Sequence, residues 1–136
     1  MAKRIILFLL IIIAMGVSLM FLLIPKHNVD FAIDVIVKFK YAEQDINQKI
    51  DNINTINQLK SILKGVTYTD TPSCGFSMDI SITFSDKDKT VTLCPALDGC
   101  PIIRINDSNK YFKISDKSRE KLNQLLAQYG FKFPSL

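Results

Sequence analysis

The chain has 136 residues, 48% of them hydrophobic, with three cysteines and a formal net charge of +4. Lys3, Arg4 and Lys26 carry three of those charges, which leaves residues 27–136 close to neutral and excludes the basic footprint that nucleic-acid binding requires. The length fits a single domain large enough to bury its own core.

The first feature along the chain is the charge-free segment Ile5–Ile24. As a helix it would measure about 30 Å, the thickness of a bilayer's hydrocarbon core. Residues 1–26 are therefore expected to form a transmembrane anchor, with the lipid bilayer as a partner through Ile5–Ile24. A cleaved signal peptide fits less well. Its best cleavage site, Ala14-Met15-Gly16, would leave a long apolar stretch at the new terminus. Lys3 and Arg4 ahead of the segment predict a cytoplasmic N-terminus and an extracytoplasmic domain, a single-pass cell-membrane arrangement that Lys26 partly opposes. Pro25 ends the span.

Residues 27–136 form the expected second part. His27–Asp30 reads as a polar linker. Phe31–Tyr41 alternates apolar and polar side chains and predicts a half-buried strand. Glu43–Asn54 is ambiguous, because Ile46, Ile50 and Ile53 have helical spacing within an asparagine-rich run. Ile56, Leu59, Ile62 and Leu63 form one stripe of a helix over about 55–64, capped by Asn54 or Thr55 and ended by Gly65. Phe76–Phe84 and Thr90–Cys94 pair as a hairpin around Lys87-Asp88. Pro101–Ile105 and Lys110–Ile114 follow around a second turn. Ser115 or Asp116 then caps a last helix with the stripe Leu122, Leu125, Leu126 and Tyr129, ended by Gly130. The expected fold is α+β: an N-terminal transmembrane helix, then a two-layer domain with an antiparallel sheet of about five strands and two helices on one face.

No catalytic set emerges. His27 is the only histidine and has few partners for acid–base or metal chemistry. Asp86 and Asp88 lack the glycine and distal glutamate of a calcium loop. No Gly-x-Ser-x-Gly elbow is present. Glu43 and Glu120 lie in different elements, and nothing requires Asp79 and Asp98 to meet. Cys74, Cys94 and Cys100 have neither zinc-ligand spacing nor a Cys-x-x-Cys motif. No cofactor and no metal is expected.

Parity along the strands points instead to a binding face. With Ile80, Ile82, Val91, Leu93, Ile103, Ile105, Phe112 and Ile114 turned toward the helices, the opposite face carries Asp79, Ser81, Thr83, Thr92, Arg104, Tyr111 and Lys113. Asp79, Ser81, Arg104, Tyr111 and Lys113 are the residue types that suit recognition.

Register also selects a disulfide. Pairing Phe84 with Val91 and Ile82 with Leu93 keeps apolar side chains on one face, whereas a one-residue slip would oppose Ile82 to Thr92. Continuing that ladder brings residues 74–75 opposite 100–101, which predicts a Cys74–Cys100 bond with Cys94 unpaired. The rival is Cys94–Cys100, which closes a small loop through Pro95–Gly99.

Asn109-Lys110-Tyr111-Phe112-Lys113-Ile114-Ser115 with its following leucine-rich helix, the Asp98-Gly99-Cys100 turn and the helix Ile56–Leu63 resemble a broad group of uncharacterised extracytoplasmic domains of low-GC Gram-positive bacteria. These sit behind a single span or a lipid anchor, and this chain lacks the lipobox cysteine of the latter. The resemblance implies a tethered α+β module and transfers no catalytic residue. The functional expectation is a membrane-tethered extracytoplasmic binding or interaction module without catalytic activity, its partner an envelope protein or a small ligand. An envelope-acting enzyme, or a membrane-level immunity or exclusion factor, is the alternative.

Overall fold

A computed structural model of the protein describes residues 2–22 and 26–131. Its elements in chain order are α1 (Ala2–Leu22), β1 (Lys26–His27), β2 (Asp34–Tyr41), β3 (Gln44–Ile50), α2 (Ile53–Ile62), β4 (Gly65–Tyr68), β5 (Ile80–Ser85), β6 (Thr90–Pro95), β7 (Ile102–Ile105), β8 (Lys110–Lys113) and α3 (Asp116–Ala127). The strands form one sheet in the order β1-β4-β8-β7-β6-β5-β2-β3, with every neighbouring pair antiparallel.

The sheet has eight strands where the sequence predicts about five. Two of the additional strands are too short to show alternation: β1 has two residues and β4 four. The third, β3, reads Gln-Asp-Ile-Asn-Gln-Lys-Ile and lies at the sheet edge. Ile46 and Ile50 are four residues apart, which fits one face of a strand as well as one face of a helix. The expected strand Phe76–Phe84 is strand only from Ile80 onward.

The anchor is a second correction. Helix α1 forms, but among the described residues no helix is long and apolar enough to cross a membrane. Its first turn includes Lys3 and Arg4, so the charge-free helical part is Ile5–Leu22. That part measures about 27 Å against a hydrocarbon core of about 30 Å. Leu23, Ile24 and Pro25, the expected end of the span, lie outside the described residues. The single-pass membrane arrangement, with its inside N-terminus and outside domain, is accordingly withdrawn.

The hairpin Ile82↔Leu93 and Phe84↔Val91 has the register that the apolar pattern selects. Its turn closes through Asp86 Oδ1, which accepts from the backbone N–H groups of Asp88 and Lys89. Helix α2 starts at Ile53, earlier than its stripe suggests, because the Asn52 side chain caps it by accepting from Asn54 N and Thr55 N at 2.9 and 3.1 Å. Ser115 caps α3 by accepting from Ser118 N at 3.1 Å. Ile56, Leu59 and Ile62 of α2 and Leu122, Leu125 and Leu126 of α3 join Val35, Val37, Phe39, Ile82, Phe84, Leu93, Ile103 and Phe112 in one buried core. Each fully buried side chain of this size contributes about 1.5–3 kcal/mol by leaving water.

The connections decide what lies on the other face. Helix α2 carries the chain from β3, at one edge, to β4, near the opposite edge. The chain must then return to β5, four strand spacings or about 19 Å away. Residues 69–79 make this return across the face that the helices leave open. We refer to them as the strap.

Candidate functional site

Ladder pairing sets Tyr68, Tyr111, Arg104 and Cys94 side by side across β4, β8, β7 and β6. The strap covers this row. Phe76 lies over it, with ring centroids 5.5 Å from Tyr111 and the Arg104 guanidinium carbon 5.8 Å from the Phe76 ring. Met78 Sδ accepts from the Cys94 thiol at 3.4 Å. Two bonds stitch the strap down, from Leu97 N to Gly75 O at 3.0 Å and from Lys40 N to Asp79 O at 2.8 Å. A disulfide between Cys74 and Cys100, with Cα atoms 6.4 Å apart, fastens its middle. Cys94 is free and buried. The β5–β6 ladder that leads to this disulfide from sequence stops at Ile82↔Leu93, so the strap rather than a longer strand brings Cys74 to Cys100.

The five residues of the expected binding face therefore have unequal roles. Tyr111 is 6% exposed and Ser81 4% exposed, both covered. Arg104 keeps 17% of its side chain exposed and pairs with Asp107 at 3.4 Å, while its Nε is buried without a hydrogen-bond partner. Asp79 pairs with Lys38 at 2.8 Å, and the Lys38 ammonium holds that carboxyl below its usual range. Lys113 is exposed. Arg104 and Tyr111 are neighbours across β7 and β8. Asp79 stands apart, at the end of the strap just before β5. Burial pushes the Cys94 thiol up in pKa, partly offset by its hydrogen bond with Arg104, so it stays protonated at neutral pH. The Asp98 carboxylate lies within 4.8 Å of the Cys74 and Cys100 sulfurs, but sulfurs joined to each other are not thiolate ligands.

A well-formed concavity lies elsewhere, between α3 and the loop joining β6 to β7. It is a groove of about 660 Å³. Leu97, Ile103, Ile114 and Leu122 line its apolar floor, and Lys117, Arg119, Glu120 and Asn123 its polar rim. Asp98 Oδ1 accepts from Cys100 N at 3.3 Å and sets the loop's turn, which Gly99 completes at φ +74°. Arg119 Nη1 donates to the Gly99 carbonyl and ties α3 to the loop. Cys100 forms part of the wall, so the same disulfide that fastens the strap also fixes the groove. Sequence reasoning identifies Cys100 and misses Leu97, Lys117, Arg119 and Glu120. The available signal was the Pro95-bounded loop next to a charged helix face. Nothing local shows that the two meet.

His27 is not a solvated linker residue. It belongs to β1, pairs with Gly65 and stacks on Phe112 with ring centroids 4.9 Å apart. Its Nε2 is buried without a partner. Burial, and to a lesser degree the Lys89 charge, lowers its pKa. The folded state therefore binds the imidazole proton less well than the unfolded chain does. Stability is fully present above the unfolded value of 6.5 and is lost as pH falls from there toward the lower folded value. The expected result is a lower urea midpoint at about pH 5.5 than at about pH 7.5, with the difference reduced in His27→Gln. An unchanged difference in the variant would assign the pH dependence to other groups.

These features define an α+β domain with a single antiparallel sheet, a helical layer on one face and a disulfide-fastened strap on the other. Compared with known proteins, the chain matches no family model, no curated protein and no solved structure.

Proposed function

We propose that the domain is a non-catalytic binding module that takes an amphipathic ligand in the groove between α3 and the β6–β7 loop. One observation carries this reading. An apolar floor with a rim of mixed charge lies on a loop held by both a disulfide and the Arg119–Gly99 contact. Apolar walls with a few fixed polar groups are what small-ligand and peptide sites use. The groove lining contains no histidine, serine or threonine, and its cysteine, Cys100, is in the disulfide. A hydroxyl or thiol nucleophile activated by histidine therefore has no place there. Because the wall depends on an intact disulfide, the module is suited to an oxidising environment.

The test is a screen of short amphipathic peptides against the disulfide-intact protein, read by amide chemical shifts. Binders should shift Leu97, Gly99, Lys117 and Asn123, and Lys117→Glu should change which peptide charges are accepted. Shifts confined to the strap face, or turnover of a peptide, would overturn the proposal.

A further inference from the structure

We propose that β3 is a self-association edge, and that two copies of the chain join there antiparallel with Asn47 facing Asn47 of the second copy. The sheet ends at β1, two residues long, on one side and at the seven-residue β3 on the other. Strand β3 is thus the long open edge among the described residues. Open edges present unpaired backbone groups that accept a further strand.

The backbone parity of β3 is fixed by its hairpin. Tyr41 and Gln44 flank the two-residue turn Ala42-Glu43, with Ala42 at φ +52°. A two-residue turn makes the flanking residues a pair that exchanges both hydrogen bonds. Alternation then sends the N–H and C=O groups of Ile46, Gln48 and Ile50 toward Phe39, Val37 and Val35 of β2. The groups of Asp45, Asn47 and Lys49 point away from the sheet.

Those three residues complement themselves. With Asn47 on the two-fold axis, Asp45 faces Lys49 of the second copy, and Lys49 faces its Asp45. All three outward residues then meet outward residues, so each pair exchanges two N–H···O=C bonds. The opposed charges share a face of the joined sheet, where directly opposite unlike charges stabilise pairing. That face also carries Lys40 beside Asp45 and Ile36 beside Lys49. Lys49 already reaches along it to Asp34 at 2.8 Å, with just over half of its side chain still exposed. Moving the register by two residues, so that Asn47 faces Lys49, would oppose Asp45 to Asp51, two like charges. Lone lysines on sheet edges commonly block association. Here an aspartate at the symmetry-related position converts the lysine from a block into a partner.

Cysteine crosslinking of the full-length, disulfide-intact protein in mild detergent tests the register. Asn47→Cys should give a covalent dimer on mild oxidation. Asp45→Cys alone should not, because its copies would lie about 13 Å apart along the strand. An equimolar mixture of Asp45→Cys and Lys49→Cys should crosslink to each other. By sedimentation, Asn47→Pro should be monomeric with an unchanged fold, since it removes an N–H that points out of the sheet. Asp45→Lys should weaken association several-fold, and adding Lys49→Asp should recover it. A wild-type chain that stays monomeric at every concentration would overturn the proposal. So would equal crosslinking of Asn47→Cys and Asp45→Cys. If Asn47→Pro misfolds, the cysteine pairs still decide the matter.

Discussion

Phe112→Ala should lower the free energy of unfolding by about 4 kcal/mol, the range for deleting a buried aromatic ring. Phe112 is fully buried on β8, beneath the His27 ring and against Gly65. Gly65 is the reason the gap cannot close. A Cβ built there would lie 2.7 Å from Phe112 Cδ2 and 3.0 Å from the Lys113 carbonyl, so β4 approaches β8 with only a hydrogen where a side chain would stand. Removing the ring leaves a void that no neighbour on β4 can fill, and it removes the stacking surface for His27. Urea unfolding followed by circular dichroism measures the loss, with an unchanged slope expected. A loss below about 1 kcal/mol would show that the β4–β8 end of the core is loosely packed.

Cys74→Ser with Cys100→Ser should cost about 3 kcal/mol, or on the order of 15 °C in Tm. The bond spans a sequence separation of 26, and its removal frees the unfolded chain from that closure. A second consequence distinguishes this variant from the core substitution. The strap and the wall of the groove share the bond, so the double variant should release Phe76 and Met78 from the sheet and admit alkylating reagent to Cys94 while the rest of the sheet persists. Phe112→Ala should leave Cys94 as protected as in the wild type under native conditions. Equal labelling rates in the two variants would mean that the disulfide does not hold the strap.

What the sequence reveals about this fold follows from where each signal is local. The β5–β6 hairpin is legible because Ile82, Phe84, Val91 and Leu93 are buried on one face and close across a short turn. Helix α3 is legible from Ser115 and its leucine stripe. Strand β3 is not, because an edge strand with Asp45, Asn47 and Lys49 turned outward needs little hydrophobicity. Phe76 and Met78 continue the period of Ile80 and so read as core strand residues. They lie on the opposite face because topology, not periodicity, routes the chain from β4 back to β5. Tyr111 and Ser81 follow strand parity as expected, yet they are covered by that same return. The Cys74–Cys100 pairing is correctly named by a register argument that runs further than the strand does. The groove is illegible for a related reason: Arg119 meets Gly99 only after α3 packs against the β6–β7 loop.

The strand order also sets a tempo. Pairs β2–β3, β5–β6, β6–β7 and β7–β8 join neighbours in sequence and can zip from their turns. Three seams cannot. Lys26 meets Val66 where β1 joins β4, Asp34 meets Ser85 where β2 joins β5, and Tyr68 meets Tyr111 where β4 joins β8, each closing roughly forty to fifty residues of chain. Domains dominated by such distant pairings fold in milliseconds to seconds rather than microseconds. The two hairpin ribbons are thus early and interchangeable events, and the nascent domain waits on three distant closures. During that wait β6, β7 and β8 already offer the strap Cys94, Arg104 and Tyr111, and only Tyr68 of β4 is missing from its row. The Cys74–Cys100 bond thus belongs to the β5–β8 ribbon and depends on none of the distant seams.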